Sequence, residues 1–145
     1  MRCVVQRVTR AAVFVDGRQV ASIGRGLAAL VGFHKDDREA QLARLLDKLP
    51  ALRIFDDAAG KMNRALGDVQ GALLLVPQFT LYGDVRGGNR PSFTAAAAPA
   101  QGRALFERLC ALAGERRVPA AFGVFQTTMQ IELVNDGPVT ILVEW

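Results

Sequence analysis

The chain has 145 residues, of which 50% are hydrophobic and 22% are charged, and its formal net charge is +4 at pH 7. This composition is typical of a globular domain and excludes disorder as the main state, because the apolar content is high and the net charge is modest. Two cysteines far apart in sequence exclude a secreted disulfide scaffold, and no apolar run approaches the ~20 residues that span a bilayer.

The first quarter of the chain predicts β-strands. Val4–Val8 and Ala11–Val15 are rich in β-branched and small apolar residues. Asp16–Gly17 predicts a hairpin turn that leads into a strand over Gln19–Ile23. Gly26–Phe33 is a continuous apolar run, which is typical of a buried strand.

A helix is predicted next. Asp36 or Asp37 can cap its first turn, because an aspartate side chain accepts hydrogen bonds from free backbone N–H groups. Leucines at helical spacing continue to Leu49, and we expect Pro50 to end the helix. Leu52–Phe55 then predicts a short strand followed by a turn.

The second half of the chain predicts three more strands and one helix. Ala72–Val76 is a buried strand, and Pro99–Glu115 is a helix with an apolar stripe. Met129–Val134 and Val139–Val143 predict strands, with Asn135–Pro138 as the tight turn that joins them.

These elements define the expected fold class. Two helices among many strands imply an α/β fold with the helices packed on one side of a largely antiparallel β structure. No internal repeat, low-complexity tract or linker interrupts the sequence. We therefore expect a single domain over residues 1–145.

Positive charge is concentrated at the start of the chain, where residues 1–35 carry a net charge of +5 and the remainder carries −1. This bias fits an anionic partner such as RNA, because phosphate neutralisation drives such association. An ordinary solvated surface also accounts for it, so charge permits an RNA partner without proving one. The first residues lack the apolar core of a signal peptide, and we expect a soluble cytoplasmic protein with no membrane segment.

The residues that usually carry catalysis are scarce. His34 is the one histidine and the cysteines are not closely spaced, so neither a metal site nor another cofactor site is expected. Ser22 and Ser92 lie outside any Gly-x-Ser-x-Gly motif. Cys110 falls among leucines of the second helix and is expected in the core. An enzyme built from this chain would rely on backbone donors, positioning and a group of its substrate.

Two short segments remain as candidate sites. Gln78-Phe79-Thr80 follows a buried strand, at a position where active sites commonly lie, although a plain strand-to-loop exit also explains it. Asp136-Gly137-Pro138 has the composition of a tight turn, and only about 5–6% of X–Pro bonds are cis. The residues alone therefore indicate an α/β domain with possible RNA association.

Six stretches spread over the chain carry a resemblance to a known family. They are Val4–Val8, Leu52–Phe55, Gly60–Asn63, Gln78–Leu81, Gly88–Phe93 and Asn135–Thr140. With these motifs in this order, the chain resembles the D-aminoacyl-tRNA deacylases. The resemblance implies a barrel-like, three-layer α/β/β fold and a homodimer whose active site lies at the interface. It also implies hydrolysis of the ester between a D-amino acid and the 3′ adenosine of tRNA.

The resemblance implies how L-amino acids are rejected. Gly137 and Pro138, joined by a cis bond, would enter the partner subunit's active site and exclude L side chains with their carbonyl groups. Glycine has no side chain to exclude, so glycyl-tRNA mischarged on tRNA-Ala is an expected second substrate. Arg7 would hold the Gly137–Pro138 motif in orientation.

The same resemblance assigns the catalytic half of the pocket to Gln78, Phe79 and Thr80. Backbone N–H groups around Phe79 and Thr80 would stabilise the oxyanion, and the tRNA ribose 2′-OH would assist the attacking water. No metal or other cofactor is implied. The basic residues of the first 35 and the Arg86–Arg90 loop would meet acceptor-stem phosphates.

Two departures from the family pattern concern substrate range. Pro77 stands where the family usually has serine, and related animal deacylases that edit L-alanine carry Pro-Gln-Ala-Thr there. Phe125 and Met129 match the family pattern Phe-Gly-Ala-x-Met and would bind substrate, whereas Gln126 and Thr127 replace its glycine and alanine. These larger side chains would reshape a wall of the adenosine or amino-acid pocket.

Three functional hypotheses follow. The leading one is a chiral-proofreading hydrolase of D-aminoacyl-tRNA. The second is an editing deacylase with relaxed chirality, which predicts hydrolysis of L-alanyl-tRNA. The third is a non-catalytic tRNA- or ribosome-binding module, which predicts salt-dependent tRNA binding without ester cleavage.

Overall fold

The computed structural model describes all 145 residues as a mixed six-stranded sheet, a small two-stranded hairpin and two helices. The strands are β1 Arg2–Val15, β2 Arg18–Ile23, β3 Gly26–Gly32, β4 Phe55–Asp56, β5 Met62–Arg64, β6 Ala72–Pro77, β7 Ala120–Phe122 and β8 Gln130–Glu144. The helices are α1 Glu39–Ala51 and α2 Pro99–Glu115, and 3-10 turns cover Gly67–Val69 and Phe79–Tyr82. The predicted α/β class is confirmed.

The long strand β1 organises the sheet. Along one edge it pairs antiparallel with β8, from Arg2 opposite Glu144 to Phe14 opposite Gln130. Along the other edge, residues 2–8 pair with β3 and residues 11–15 pair with β2, again antiparallel. The two predicted strands in this region are therefore halves of one strand.

The remaining pairings are parallel, since β3 pairs with β6 and β6 pairs with β7. Parallel neighbours need a crossover connection, and here α1 lies between β3 and β6 while α2 lies between β6 and β7 in the chain. The β structure is thus antiparallel around β1 and parallel beyond β3. The prediction of a largely antiparallel structure did not include this parallel part.

Alternating residues of β6 show how the layers are stacked. Leu73 and Leu75 belong to an apolar cluster that includes the buried leucines of α1 and Phe106 and Leu109 of α2. Leu74 and Val76 belong to a second cluster with Val8 and Val13 of β1 and Ile23 of β2. Successive side chains of a strand point to opposite faces, so one face of β6 packs on the helices and the other faces β1 and β2, which belong to the same curved sheet. This is the predicted α/β/β arrangement.

The parallel pair β3–β6 depends on a glycine. Gly26 lies opposite Ala72, and a Cβ atom at Gly26 would come within 1.9 Å of the Ala72 carbonyl oxygen. No side chain fits at that distance, because the neighbouring atom belongs to the backbone. The close approach of the two strands therefore requires glycine at position 26.

Both predicted ends of α1 are corrected. Arg38, not Asp36 or Asp37, is the N-cap residue. The backbone N–H of Arg38 donates a hydrogen bond to the side-chain oxygen of Gln41. The Asp37 carboxylate instead accepts hydrogen bonds from the Met1 ammonium (3.0 Å) and the His34 N–H (2.7 Å). Pro50 lies inside the last turn rather than after it. Near a C-terminus, proline removes only one late hydrogen bond, so the helix still reaches Ala51.

The predicted turn at Asn135–Pro138 is also corrected. Both flanking segments pair with β1 instead of with each other, because β1 is long enough to receive them in succession. Val8 lies opposite Asn135 and Gln6 lies opposite Thr140, so residues 136–139 protrude as a bulge within one strand. The Gly137–Pro138 peptide bond in this bulge is cis, as the resemblance implies.

The structure also differs from two smaller predictions. The predicted strand Leu52–Phe55 is reduced to Phe55–Asp56, which pairs with β5. Cys110 is only half-buried and packs against the edge of the apolar cluster that contains Phe106 and Leu109, so it is less buried than expected.

No helix combines the length and the apolar character needed to cross a membrane.

Candidate active site

A cavity of about 390 Å³ opens at the carboxyl end of β6. Its nine lining residues are Pro77, Gln78, Phe79, Phe125, Gln126, Thr127, Thr128, Met129 and Ile131. One wall is the end of β6 with the following 3-10 turn, and the other is the segment between β7 and β8. Sites at the carboxyl ends of parallel strands are common, since the chain leaves the sheet there and frees backbone groups.

The first wall presents unpaired backbone donors. The Gln78 N–H continues the sheet by donating to the Val31 carbonyl oxygen (2.8 Å), after which the chain turns away. Phe79 and Thr80 begin the 3-10 turn, so their N–H groups have no acceptor within it. Neither group donates to any other backbone carbonyl. Two neighbouring N–H groups are therefore free beside the cavity.

The side chains of this wall are arranged for contact rather than for proton transfer. Phe79 is 57% exposed, and its ring packs edge-on against Phe93 with 5.0 Å between the ring centroids. The Gln78 amide donates a hydrogen bond to the Thr80 hydroxyl. An amide is no general base, so Thr80 has no partner that would activate it as a nucleophile. Thr80 adjoins the cavity without lining it.

The second wall is supported by α2. Phe125 stacks on Phe106, and Gly102 leaves room for it, because a Cβ there would come within 3.0 Å of the ring. Gln126 has a positive φ of 55° and accepts a hydrogen bond of 2.7 Å from Arg103 Nη2. The Met129 sulfur accepts a hydrogen bond from the Val124 N–H. Arg103 could not be predicted from the sequence, since no local motif indicates a contact between α2 and this loop.

The chemistry of the cavity wall is neutral. None of the nine lining residues is ionisable, and no group of three or more histidine, cysteine, aspartate or glutamate side chains could hold a metal ion. The polar groups of the wall are side-chain amides, hydroxyls and backbone groups only. It can orient a substrate and stabilise an oxyanion, but it supplies no side-chain acid or base.

A second group of predicted residues gathers around Arg7. Its side chain is 6% exposed and donates hydrogen bonds to the carbonyl oxygens of Asp136 (2.8 Å) and Ile54 (2.7 Å). It also pairs with the Asp56 carboxylate at 3.1 Å. The Arg7 Nη2 atom lies 3.3 Å from the place of a Cβ on Gly137, so Arg7 contacts the bulge directly.

Asn135 closes the base of the same bulge. Its side-chain oxygen accepts a hydrogen bond from the Val139 N–H (2.7 Å), and its Nδ2 donates to the Val139 carbonyl oxygen (3.2 Å). Gly137 and Pro138 remain exposed at the tip. The bulge is thus held at both ends while its tip faces outward.

The predicted site residues therefore form two separate groups. Gln78, Phe79, Phe125 and Met129 line the cavity, whereas Arg7, Gly137 and Pro138 do not. The role of Asp56 could not be predicted from the sequence, because nothing near it in sequence indicates a contact with Arg7.

Comparison with known proteins identifies the family. The family model described as D-Tyr-tRNA(Tyr) deacylase matches residues 4–144. A D-aminoacyl-tRNA deacylase of Anaeromyxobacter dehalogenans is 58% identical over 145 residues, covering 99% of this chain and 97% of the relative. A second one, of Carboxydothermus hydrogenoformans, is 51% identical over 144 residues and covers 99% of each chain.

Solved structures show the same fold. The structure of a protein named c-Myc DNA Unwinding Element Binding Protein aligns with a TM-score of 0.92 and 37% identity, covering 100% of this chain and 99% of that chain. A probable eukaryotic D-amino acid tRNA deacylase aligns with a TM-score of 0.84 and 19% identity, covering 98% and 97%. From the family match and the whole-chain relatives together, the chain belongs to the D-aminoacyl-tRNA deacylases, hydrolases that act on the ester of aminoacyl-tRNA.

Proposed function

We propose that this deacylase works as a homodimer that cleaves D-aminoacyl-tRNA and glycyl-tRNA and rejects L-aminoacyl-tRNA through Gly137 and Pro138 of the partner subunit. The observation that carries the proposal is the separation of the two groups of site residues. A neutral cavity lies at one place, and a firmly held bulge with an exposed tip lies away from it on the same chain. A second copy would bring the two together.

The surface of β8 supports a dimer. This strand pairs only with β1, so its other edge has free backbone groups. Its outer face exposes Val134 (41%) and Leu142 (60%) on either side of the bulge. Free strand edges and exposed apolar side chains are commonly covered by another chain. An interface there would include the Gly137–Pro138 tip.

Rejection of L-amino acids would be steric. Backbone carbonyl groups held rigidly beside the substrate Cα leave room for a hydrogen atom but not for a side chain on that side. A D-amino acid directs its side chain away, and glycine has none, so both would be accepted. Arg7 and Asn135 supply the rigidity, because together they bond three backbone groups of the bulge.

Hydrolysis would proceed without a side-chain base. Water adds to the ester carbonyl carbon, and the Phe79 and Thr80 N–H groups stabilise the resulting oxyanion. The bond from this carbon to the ribose 3′ oxygen then breaks, the 3′ oxygen takes up a proton, and the products are a free amino acid and tRNA. The ribose 2′-OH of the substrate assists the water, which agrees with the lack of ionisable groups on the cavity wall.

Relaxed chirality is the second candidate. Pro77, Gln126 and Thr127 all line the cavity, and they are the positions at which the chain departs from the common family pattern. Proline also removes a backbone donor from the cavity edge. If these residues move the amino acid away from the carbonyl groups, a small L side chain such as that of alanine would be tolerated.

A time course of ester loss from D-tyrosyl-, L-tyrosyl-, glycyl- and L-alanyl-tRNA tests both candidates. Loss of the D-tyrosyl and glycyl esters alone is the expected result. Cleavage of L-alanyl-tRNA would instead favour relaxed chirality, and tRNA binding without any cleavage would contradict both. Sedimentation of the same preparation tests the dimer, and a monomer with full activity and full discrimination would overturn the cross-subunit role of Gly137 and Pro138.

A further inference from the structure

We propose that Arg103 binds the phosphodiester that precedes the terminal adenosine of the substrate, and that Gln126 holds it in position to do so. The inference rests on the proposed function and takes the aminoacyl-adenosine end of the tRNA to occupy the cavity. The first anionic group of the tRNA next to that end is the phosphodiester, and Arg103 is the residue that binds it.

Arg103 lies beside the cavity without entering it. Its Nη2 donates to the Gln126 side-chain oxygen at 2.7 Å, and its guanidinium carbon is 5.4 Å from the centroid of the Phe125 ring. Both contacted residues line the cavity. No other arginine or lysine donates a hydrogen bond to a lining residue. Arg103 is therefore the cation fixed to the cavity rim.

Most of the donors of this arginine are free. A guanidinium carries five N–H bonds, and the bond to Gln126 uses one. The nearest carboxylate oxygen, on Glu107, is 3.9 Å from Nη1, which is too long for a hydrogen bond. The Arg103 side chain is 49% exposed. Its remaining donors can meet a phosphate in the two-pronged geometry that arginine favours.

Gln126 holds the Arg103 side chain although its own backbone conformation is uncommon for a residue with a side chain. Its backbone φ of 55° lies in the left-handed region, which glycine adopts without steric conflict and other residues adopt uncommonly. The one hydrogen-bond partner of its side chain is Arg103. The Gln126 side chain thus fixes the direction of the Arg103 guanidinium.

The substrate chemistry matches this arrangement. The cavity wall has no charged side chain, so it can hold a base, a ribose and an amino acid but offers no cation to a phosphate. The first phosphodiester of tRNA attaches to the 5′ side of the terminal nucleoside, just outside such a cavity. The one carboxylate near the guanidinium is that of Glu107, 3.9 Å from Nη1, and the first turn of α2 contains no acidic residue.

The test compares three substrates with the same D-aminoacyl ester: tRNA, adenosine 5′-monophosphate and adenosine without phosphate. We expect Arg103→Met to lower kcat/KM about tenfold for the two phosphate-bearing substrates, mainly through KM, because a contact remote from the ester binds ground and transition states alike. Activity on the aminoacyl-adenosine should stay within about twofold. The salt dependence of kcat/KM on tRNA should fall by about one unit of slope.

Three further variants complete the experiment. Gln126→Gly removes the side chain from a backbone that glycine tolerates. Because Gln126 also lines the cavity, this variant should affect all three substrates, with a further loss confined to the two that carry phosphate. Arg103→Lys keeps the charge and should recover part of the activity. Lys48→Met removes an exposed charge from α1 and should leave kcat/KM unchanged for all three substrates. Thermal unfolding of each variant verifies that it is folded.

The outcomes separate this inference from the proposed function. An equal loss on all three substrates in Arg103→Met would assign Arg103 to the shape of the wall and overturn the phosphate contact. Unchanged activity on all three would overturn it as well. Wild-type protein that cleaves none of the D-aminoacyl esters would overturn the proposed function itself.

Discussion

Arg7 donates a hydrogen bond of 2.8 Å to the carbonyl oxygen of Asp136, the residue immediately before Gly137. The same guanidinium is paired with Asp56 on β4, so the small β4–β5 hairpin is linked to the bulge of β8 through one buried side chain. Charged side chains are rarely buried without a compensating charge. The position of the Gly137–Pro138 tip therefore depends on residues that are remote from it in sequence.

Asp56→Asn tests this link. The substitution keeps the shape but removes the negative charge that faces the Arg7 guanidinium. Because the Asp56 side chain is 47% exposed, we expect a modest loss of about 1 kcal/mol in the free energy of unfolding. Hydrolysis of L-tyrosyl-tRNA should rise relative to D-tyrosyl-tRNA, since the tip is held less firmly. Asp36→Asn, an exposed carboxylate on another loop, is the control and should leave both measurements unchanged.

Gly137→Ala tests the packing of the bulge itself. A Cβ atom at this position would lie 2.7 Å from Val139 Cγ2 and 2.9 Å from the Val139 N, and φ is +144°. Both facts disfavour any side chain, so we expect a loss of about 1–3 kcal/mol in the free energy of unfolding, measured with urea. Gly87→Ala is the matched control, because nothing lies within 4 Å of its Cβ position. Equal stability of the two variants would contradict the described packing.

Local patterns were sufficient to predict most elements of the fold. The strand character of β1, β2, β3 and β6 and the existence of both helices follow from apolar periodicity and turn residues. The parallel pairing of β6 could not be predicted, because it depends on contacts between segments that α1 separates. The continuity of β8 was missed for a related reason, since Gly-Pro has the local chemistry of a turn and only pairing with β1 shows otherwise.

Some residues of the candidate site could be predicted from the sequence, and others could not. Gln78 and Phe79 lie at a strand end and match a motif, so the sequence was enough to indicate them. Arg103 and Asp56 have no such signal, because each acts through a partner brought close only by the tertiary fold. Pairwise contacts of this kind are a property of the folded chain and leave no trace in a single local pattern.

The closeness of β3 and β6 predicts a severe effect of Gly26→Ala. The new Cβ would lie 1.9 Å from a backbone oxygen, and the strands would have to separate. We expect a loss of about 3 kcal/mol or more in the free energy of unfolding, with a low yield of folded protein. Gly24→Ala, two residues earlier, has no neighbour within 4 Å and should change stability by less than about 0.5 kcal/mol. A folded Gly26→Ala variant of wild-type stability would contradict the β3–β6 register.

Cys3 predicts how stability depends on alkaline pH. Burial raises the pKa of its thiol from 9.0 to about 12, because the folded protein disfavours a buried thiolate. Between these values the unfolded chain releases a proton that the folded protein retains, so stability falls as pH rises through this range. Cys3→Ala should weaken this decline, whatever its effect at neutral pH. Urea unfolding at several pH values from 8 to about 11 measures it, and identical slopes in both proteins would contradict the prediction.

Thr80→Ala tests whether the hydroxyl takes part in the reaction. The Thr80 side chain bonds to the Gln78 amide and to no group that could remove its proton. If the backbone N–H groups and the substrate 2′-OH carry the chemistry, we expect kcat on D-tyrosyl-tRNA to stay within about threefold of wild type. Loss of an oxyanion donor costs about 10²–10³ in kcat, so a side-chain role would be easily distinguished. A loss of that size in folded Thr80→Ala, restored in Thr80→Ser, would assign the reaction to the hydroxyl instead.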